Sequence, residues 1–163
     1  SKAGAEALDG LIAARRWDIY KDPFEDEAAF ARYLVQTAGG LLFAACDALG
    51  TADAEVAKDA GYAARLAGFF QAIPALESAK RVPLLDGRRD AIAALASGAL
   101  DRLKTARKGR AKLAKEACVA LWQVEPILKQ AVQDPAAVGE GRLEVPAFRS
   151  SLRLSKASLL GRW

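Results

Sequence analysis

Gly61-Tyr62-Ala63-Ala64-Arg65-Leu66-Ala67-Gly68-Phe69-Phe70-Gln71-Ala72-Ile73 is the stretch on which the reading of this sequence turns. Alanine dominates it, Leu66 adds a second strong helix former, and polar and apolar residues do not alternate as a strand requires. Thr51 or Asp53 can cap the helix that contains it, and Pro74, with no amide to donate, is expected to end that helix at Ile73.

Working outward, the same logic holds along the chain. Hydrophobic residues make up 52% of the 163 and aromatics only 7%, so strand-favouring side chains are sparse. Upstream, a first helix is expected over Ala5–Tyr20, broken by Lys21-Asp22-Pro23-Phe24. Glu25, Asp26 and Glu27 place negative charge at the start of a second helix, where the dipole favours it. That helix runs to Leu49, with Gly50 as its C-cap. Downstream, Pro74–Gly87 reads as an irregular connection and a fourth helix spans Arg88–Ala106. Gly109 separates it from a fifth over Arg110–Gln133, which Pro126 bends or breaks. Asp134-Pro135 ends the fifth, Gly139–Val145 is loop, and Pro146 opens a last helix carrying Leu152, Leu154, Leu159 and Leu160. The expected fold is all-α, an antiparallel array of about six helices forming one helical domain over residues 1–163.

Several chemistries are excluded. The chain has no His and two Cys, Cys46 and Cys118, far apart in sequence, so zinc spacing and His-based triads are ruled out. Buried thiols in a reducing compartment are the expectation, and with it a cytoplasmic location. No apolar run approaches the ~20 residues that span a bilayer. The formal charge is +4, with Arg102, Lys104, Arg107, Lys108, Arg110, Lys112 and Lys115 crowded together. No base-reading motif accompanies them, so nucleic acid is not an expected partner. A solvated helix end is the simpler reading. A peripheral lipid-binding role would need apolar anchors, and Leu103 and Leu113 supply only two.

Leu11-Ile12-Ala13-Ala14-Arg15-Arg16-Trp17-Asp18-Ile19-Tyr20, then Phe24 and Tyr33-Leu34, resembles a stretch midway through squalene/phytoene synthase family proteins. Tyr33, Ala38, Gly39, Leu49 and Gly50 fit the family's next element. Gly61–Ile73 looks like its second signature helix, and Lys80-Arg81-Val82-Pro83-Leu84 like the segment after that. The resemblance runs over nearly the whole chain and begins where the second half of a family member begins. It therefore implies part of the isoprenoid synthase fold, in a chain expected to lack the N-terminal half of a full-length family member and the first Asp-rich motif which that half would carry.

What the resemblance implies chemically is the joining of two prenyl diphosphates, with magnesium ions absorbing the charge of the departing pyrophosphate. The second signature should read Gln-Leu-x-Asn-x-x-Arg-Asp-x-x-Glu-Asp. Here Arg65 stands for Gln, Gly68 for Asn, Gln71 for Arg, Ala72 for the first Asp and Ala75-Leu76 for Glu-Asp. Glu77 and Asp86 are the nearest acids left, and neither makes a metal cage alone. No catalytic residue, no metal ligand and no cofactor is therefore expected, magnesium entering only if the protein is an active prenyltransferase. The acids Asp18, Asp22, Glu25, Asp26 and Glu27 straddle a proline turn and read as a helix-start cluster. Arg15 and Arg16 are expected to pair with Asp18 or Asp22.

Arg65, Lys80 and Arg81 surround the eroded signature, and with Phe69 and Phe70 they are the candidate ligand-binding residues, for a prenyl diphosphate or a lipid headgroup. The alternative is that these side chains fill the core, as Trp17, Trp122 and Trp163 are expected to do. The eroded acids also resemble the branch of the family associated with respiratory complex I assembly. That resemblance implies a binding role with respiratory-complex subunits as partners, the active synthase and the lipid module being the alternatives. A chain standing alone is expected to form a homodimer through an exposed apolar stripe.

Overall fold

Alanine-rich helices can approach closely, and the fold is built on that property. The computed structural model describes residues 1–20, 22–145, 151, 154, 155, 157, 158 and 163. In chain order these form α1 (Lys2–Arg15), a 3₁₀ turn (Arg16–Asp18), α2 (Glu27–Leu34), a π turn (Val35–Gly39) and α3 (Gly40–Ala48). Then come α4 (Ala54–Ser78), α5 (Arg89–Lys108), α6 (Lys115–Cys118), α7 (Val124–Gln133) and α8 (Ala136–Gly139). Among the described residues six helices are of eight residues or more and there is no strand, so the architecture is the expected all-α array.

The caps are local and legible. Asp26 accepts from the Ala29 amide at 2.6 Å to start α2, and Asp53 accepts from Glu55 and Val56 to start α4. α4 is the axis of the fold: Ala57, Ala60, Leu66, Phe69, Phe70 and Ile73 are all buried, and α2, α3, α5, α7 and α8 pack around it. Its closest neighbour is the π turn. A Cβ added at Gly61 would overlap the backbone of Gly39, and one added at Gly39 would lie 3.2 Å from Lys58 Cα. The extra residue of the π turn brings Ala38 and Gly39 against α4. Thr37, buried within that turn, donates its hydroxyl to the Tyr33 carbonyl at 2.6 Å.

Several expected boundaries are corrected. Pro74 does not end its helix, because Ile73 before it and Leu76 after it pack on the core and hold α4 through to Ser78. Lys80 ends it instead. At φ 60° it takes the left-handed position of a Schellman motif, with Lys80 N–H donating to Glu77 O and Arg81 N–H to Leu76 O. The expected fifth helix is a string of short turns from Arg110 onward, with only α7 extending beyond one or two turns. Pro126 sits in the first turn of α7, where its missing N–H breaks no bond. Of the expected last helix, Pro146, Leu152, Leu159 and Leu160 lie outside the described residues, while Leu154 is helical and exposed.

The π turn also joins α2 and α3 into one helix of 22 residues, Glu27–Ala48, long and apolar enough by length and composition to cross a membrane. The expectation that no run approaches this length is corrected. In the structure this helix turns Phe30, Tyr33, Leu34, Leu42 and Cys46 into the protein core. Cys46 on α3 and Cys118 on α6 are both buried free thiols and lie close enough to influence one another. Burial, then the neighbouring thiol, pushes Cys118 up to about 12, so it carries no nucleophilic thiolate near neutral pH.

Two predictions follow from this packing. Gly61→Ala forces the π turn off α4 and should lower the free energy of unfolding by about 3 kcal/mol, read as a drop in the urea midpoint. The second concerns Glu125 on α7, which accepts from Arg107 of α5 at 2.8 Å and from Lys129 at 2.6 Å. Burial raises its pKa, but these two cations outweigh burial and bring it from 4.5 to about 2. The folded value lies below the unfolded one, so this stabilisation is present above pH 4.5 and is lost as pH falls toward 2. Glu125→Gln should remove on the order of 2 kcal/mol of stability at pH 7 and flatten the acid limb in that window, as denaturant melts across pH would record.

Candidate functional site

The 3₁₀ turn at the end of α1 carries Trp17 inward, and Pro23 brings Phe24 back beneath it. The two rings stack at 4.2 Å, with Tyr33 of α2 at 5.4 Å and Phe69 of α4 at 6.1 Å from the indole. Phe30 closes the cluster at 5.3 Å from Phe69. Phe69 is thus the floor of an aromatic cluster. Phe70, the next residue, is wholly buried in the core.

Asp18 is the electrostatic hub beside these rings. Its carboxylate accepts from Arg15 at 2.7 Å and from the Tyr33 hydroxyl at 2.8 Å, and Tyr33 in turn accepts from Arg65. Burial opposes the charge on Asp18, but the hydrogen bonds from Arg15 and Tyr33 hold its pKa below the ordinary value. Burial pushes the Tyr33 phenol up, so it keeps its proton and donates. The Arg65 guanidinium lies over the Tyr33 and Phe69 rings at 5.1 and 5.9 Å.

Arg81 closes the other side. Its guanidinium carbon is 4.0 Å from the Trp17 ring centroid. It donates to the carbonyls of Trp17 and Tyr20 at 2.6 Å and of Asp18 at 2.9 Å. This one side chain satisfies the carbonyls left open where α1 ends. The structure therefore brings Arg65, Phe69 and Arg81 around one cluster. Lys80 is exposed as the terminator of α4, and Phe70 does not join them. Arg15 and Arg65 act on the Asp18 carboxylate and Arg81 on the carbonyls beside it, so three guanidinium groups accompany one carboxylate within the cluster, with Asp22, Glu25 and Arg32 around the adjoining cavity. The nitrogens Trp17 Nε1, Arg65 Nε and Arg81 Nε are buried there without an acceptor among the described residues.

Trp17, Asp18 and Tyr33 are the residues sequence reasoning missed as a unit. Their partners come from α2, α4 and the residues after α4, and no local spacing announces such a meeting.

The donor set along α4 does not fit magnesium. Ala72, Ala75 and Leu76 offer no side-chain oxygen, and Gln71 donates its amide to the Leu143 carbonyl at 3.1 Å. Glu77 lines a cavity that it shares with Arg81 and Arg89. Asp86 lines a different cavity and is held by Arg88, 2.7 Å away. Among the described residues no three acids or thiols converge as a metal would need.

Replacing Arg81 by Met removes the clamp on the α1 turn and should cost about 2 kcal/mol or more of stability. Trp17, losing its cover, should shift its fluorescence to the red. Lys80→Met, which touches none of these groups, should stay within about 0.5 kcal/mol of the parent.

Comparison with known proteins gives one match. The family model for squalene/phytoene synthase covers residues 1–86 of the 163. No curated protein and no solved structure matches the chain. The matched region takes in α1 to α4 and the Lys80–Leu84 segment and stops before α5, so it is shorter than the nearly full-length resemblance expected from the sequence. With the aromatic turn, the Gly39–Gly61 crossing and the whole of α4 inside that region, the chain belongs to the squalene/phytoene synthase family.

Proposed function

We propose that this family member acts by binding and does not join prenyl diphosphates by magnesium-dependent chemistry. The observation that carries the reading is the row Ala72, Ala75 and Leu76 on α4, where the family signature calls for acids. Ionising an allylic diphosphate separates a pyrophosphate from a carbocation, and in water-excluded sites divalent cations offset most of that cost. A helix with one free carboxylate, Glu77, in a cavity with two guanidinium groups supplies no such cage.

The binding role fits an anionic ligand, a prenyl diphosphate or a lipid headgroup, drawn by the guanidinium groups of Arg15, Arg65 and Arg81. Respiratory-complex subunits are the protein partners that the resemblance to the complex I assembly branch suggests. Such a role would be exercised in the cytoplasm at or near a membrane surface.

Incubation with farnesyl or geranylgeranyl diphosphate and magnesium should release no pyrophosphate above a protein-free control. Magnesium-dependent release that disappears in Glu77→Gln would overturn the reading. Co-purification of respiratory-complex assembly intermediates with the tagged protein tests the partner, and their absence from the eluate would count against it.

A further inference from the structure

Beside the aromatic cluster, with Arg81 common to both, the end of α4, the connection after it, the first turn of α5 and the short α8 surround a cavity of about 540 Å³. That volume lies within the range of small-molecule sites. Ile73, Leu84, Ile92 and Val138 provide apolar wall, and among the described residues the charged side chains lining it are Glu77, Arg81 and Arg89.

These charges are not balanced. Arg88, next to the cavity, is committed to Asp86 at 2.7 Å and Asp90 at 3.9 Å. Arg89 has no ion pair or side-chain hydrogen bond among the described residues, and neither does the Glu77 carboxylate. Arg81 spends its terminal nitrogens on three backbone carbonyls, which satisfy its donors without neutralising its charge. Two guanidinium groups therefore accompany one carboxylate in a cavity walled partly by apolar side chains. The cavity takes Ile73 and Glu77 from α4 and Arg81 to Leu84 from the connection, while the substituted signature positions Gln71, Ala72, Ala75 and Leu76 do not line it.

We propose that this cavity binds a small amphiphile bearing one carboxylate or phosphate, with the anion at Arg89 and the apolar part against Ile73, Leu84 and Ile92. A planar guanidinium takes either anion through paired hydrogen bonds, and Arg89 is free to do so. The chamber supplies the apolar contact that a bare anion cannot use. This site does not depend on whether the protein transfers prenyl groups.

Calorimetric titration of the full chain with octanoate, octyl phosphate, octanol and inorganic phosphate, all below micelle-forming concentrations, tests it. Octanoate or octyl phosphate should bind, and the stronger of the two identifies the head group. Octanol and inorganic phosphate should each bind at least about tenfold more weakly. Arg89→Gln should weaken the bound amphiphile about tenfold or more, while Lys104→Gln, an equal change of charge on the same helix, should not. Gly139 lines the cavity, its added Cβ meets nothing within 4 Å, and its φ is not in the left-handed region. Gly139→Leu should therefore block binding with the melting temperature kept. Absence of binding by both anions, octanol binding as tightly as octanoate, or affinity unchanged in both Arg89→Gln and Gly139→Leu would each overturn the proposal.

Discussion

The rest of the structure depends on the crossing of two backbones at Gly39 and Gly61. With no side chain at either position, the π turn lies directly on α4, nearer than any Cβ would allow. That approach fixes the height of α2 and α3 along α4, and α1 then packs on α3 and the π turn. A Cβ at Gly40 would stand only 3.0 Å from the Ala7 carbonyl, so the α1 contact is of the same small-residue kind. Alanine and glycine supply little apolar area per residue, and the fold gains by bringing whole helices close where larger side chains would interdigitate.

From that crossing the position of the functional residues follows. Tyr33 leaves α2 two residues before the π turn, and Arg65 and Phe69 leave α4 about one and two turns after Gly61, so the three meet on one side. The end of α1 brings Trp17 and Asp18 to them, held from behind by Arg81. The cluster is rigid and cationic, with aromatic rings under the guanidinium groups and a single carboxylate at its centre. On α4 the positions that would carry metal ligands hold methyl groups and a leucine. The acid-for-apolar exchange at these positions and the guanidinium groups nearby are what the proposed binding role rests on.

Much of the helical framework could be read without coordinates. Asp26 and Asp53 are caps acting within three residues, and Gly50, at φ 85°, follows the end of α3 by its own backbone freedom. Pro74 misled because a local rule was outweighed by Ile73 and Leu76 packing on the core. The string of turns after Arg110 was missed for the reverse reason: its helix formers are real, but Ala114 donates to Thr51 O at 2.9 Å, tying the chain to the end of α3 and interrupting the run. Cys46 and Cys118 looked unrelated in sequence and lie close together in space.

By itself the sequence determined that this protein is helical, that its helices can approach closely, and that α4 lacks the oxygen donors its family's chemistry uses. Each of these is a property of residue type and local order, which coordinates do not alter. Only the tertiary structure decided where the bases go. It set Arg65 on Tyr33, turned Arg81 onto the carbonyls of the α1 turn, and left Arg89 lining a cavity with no ion pair among the described residues. Those outcomes rest on contacts between residues far apart along the chain, and the free energy of such contacts is set by geometry that no local pattern encodes.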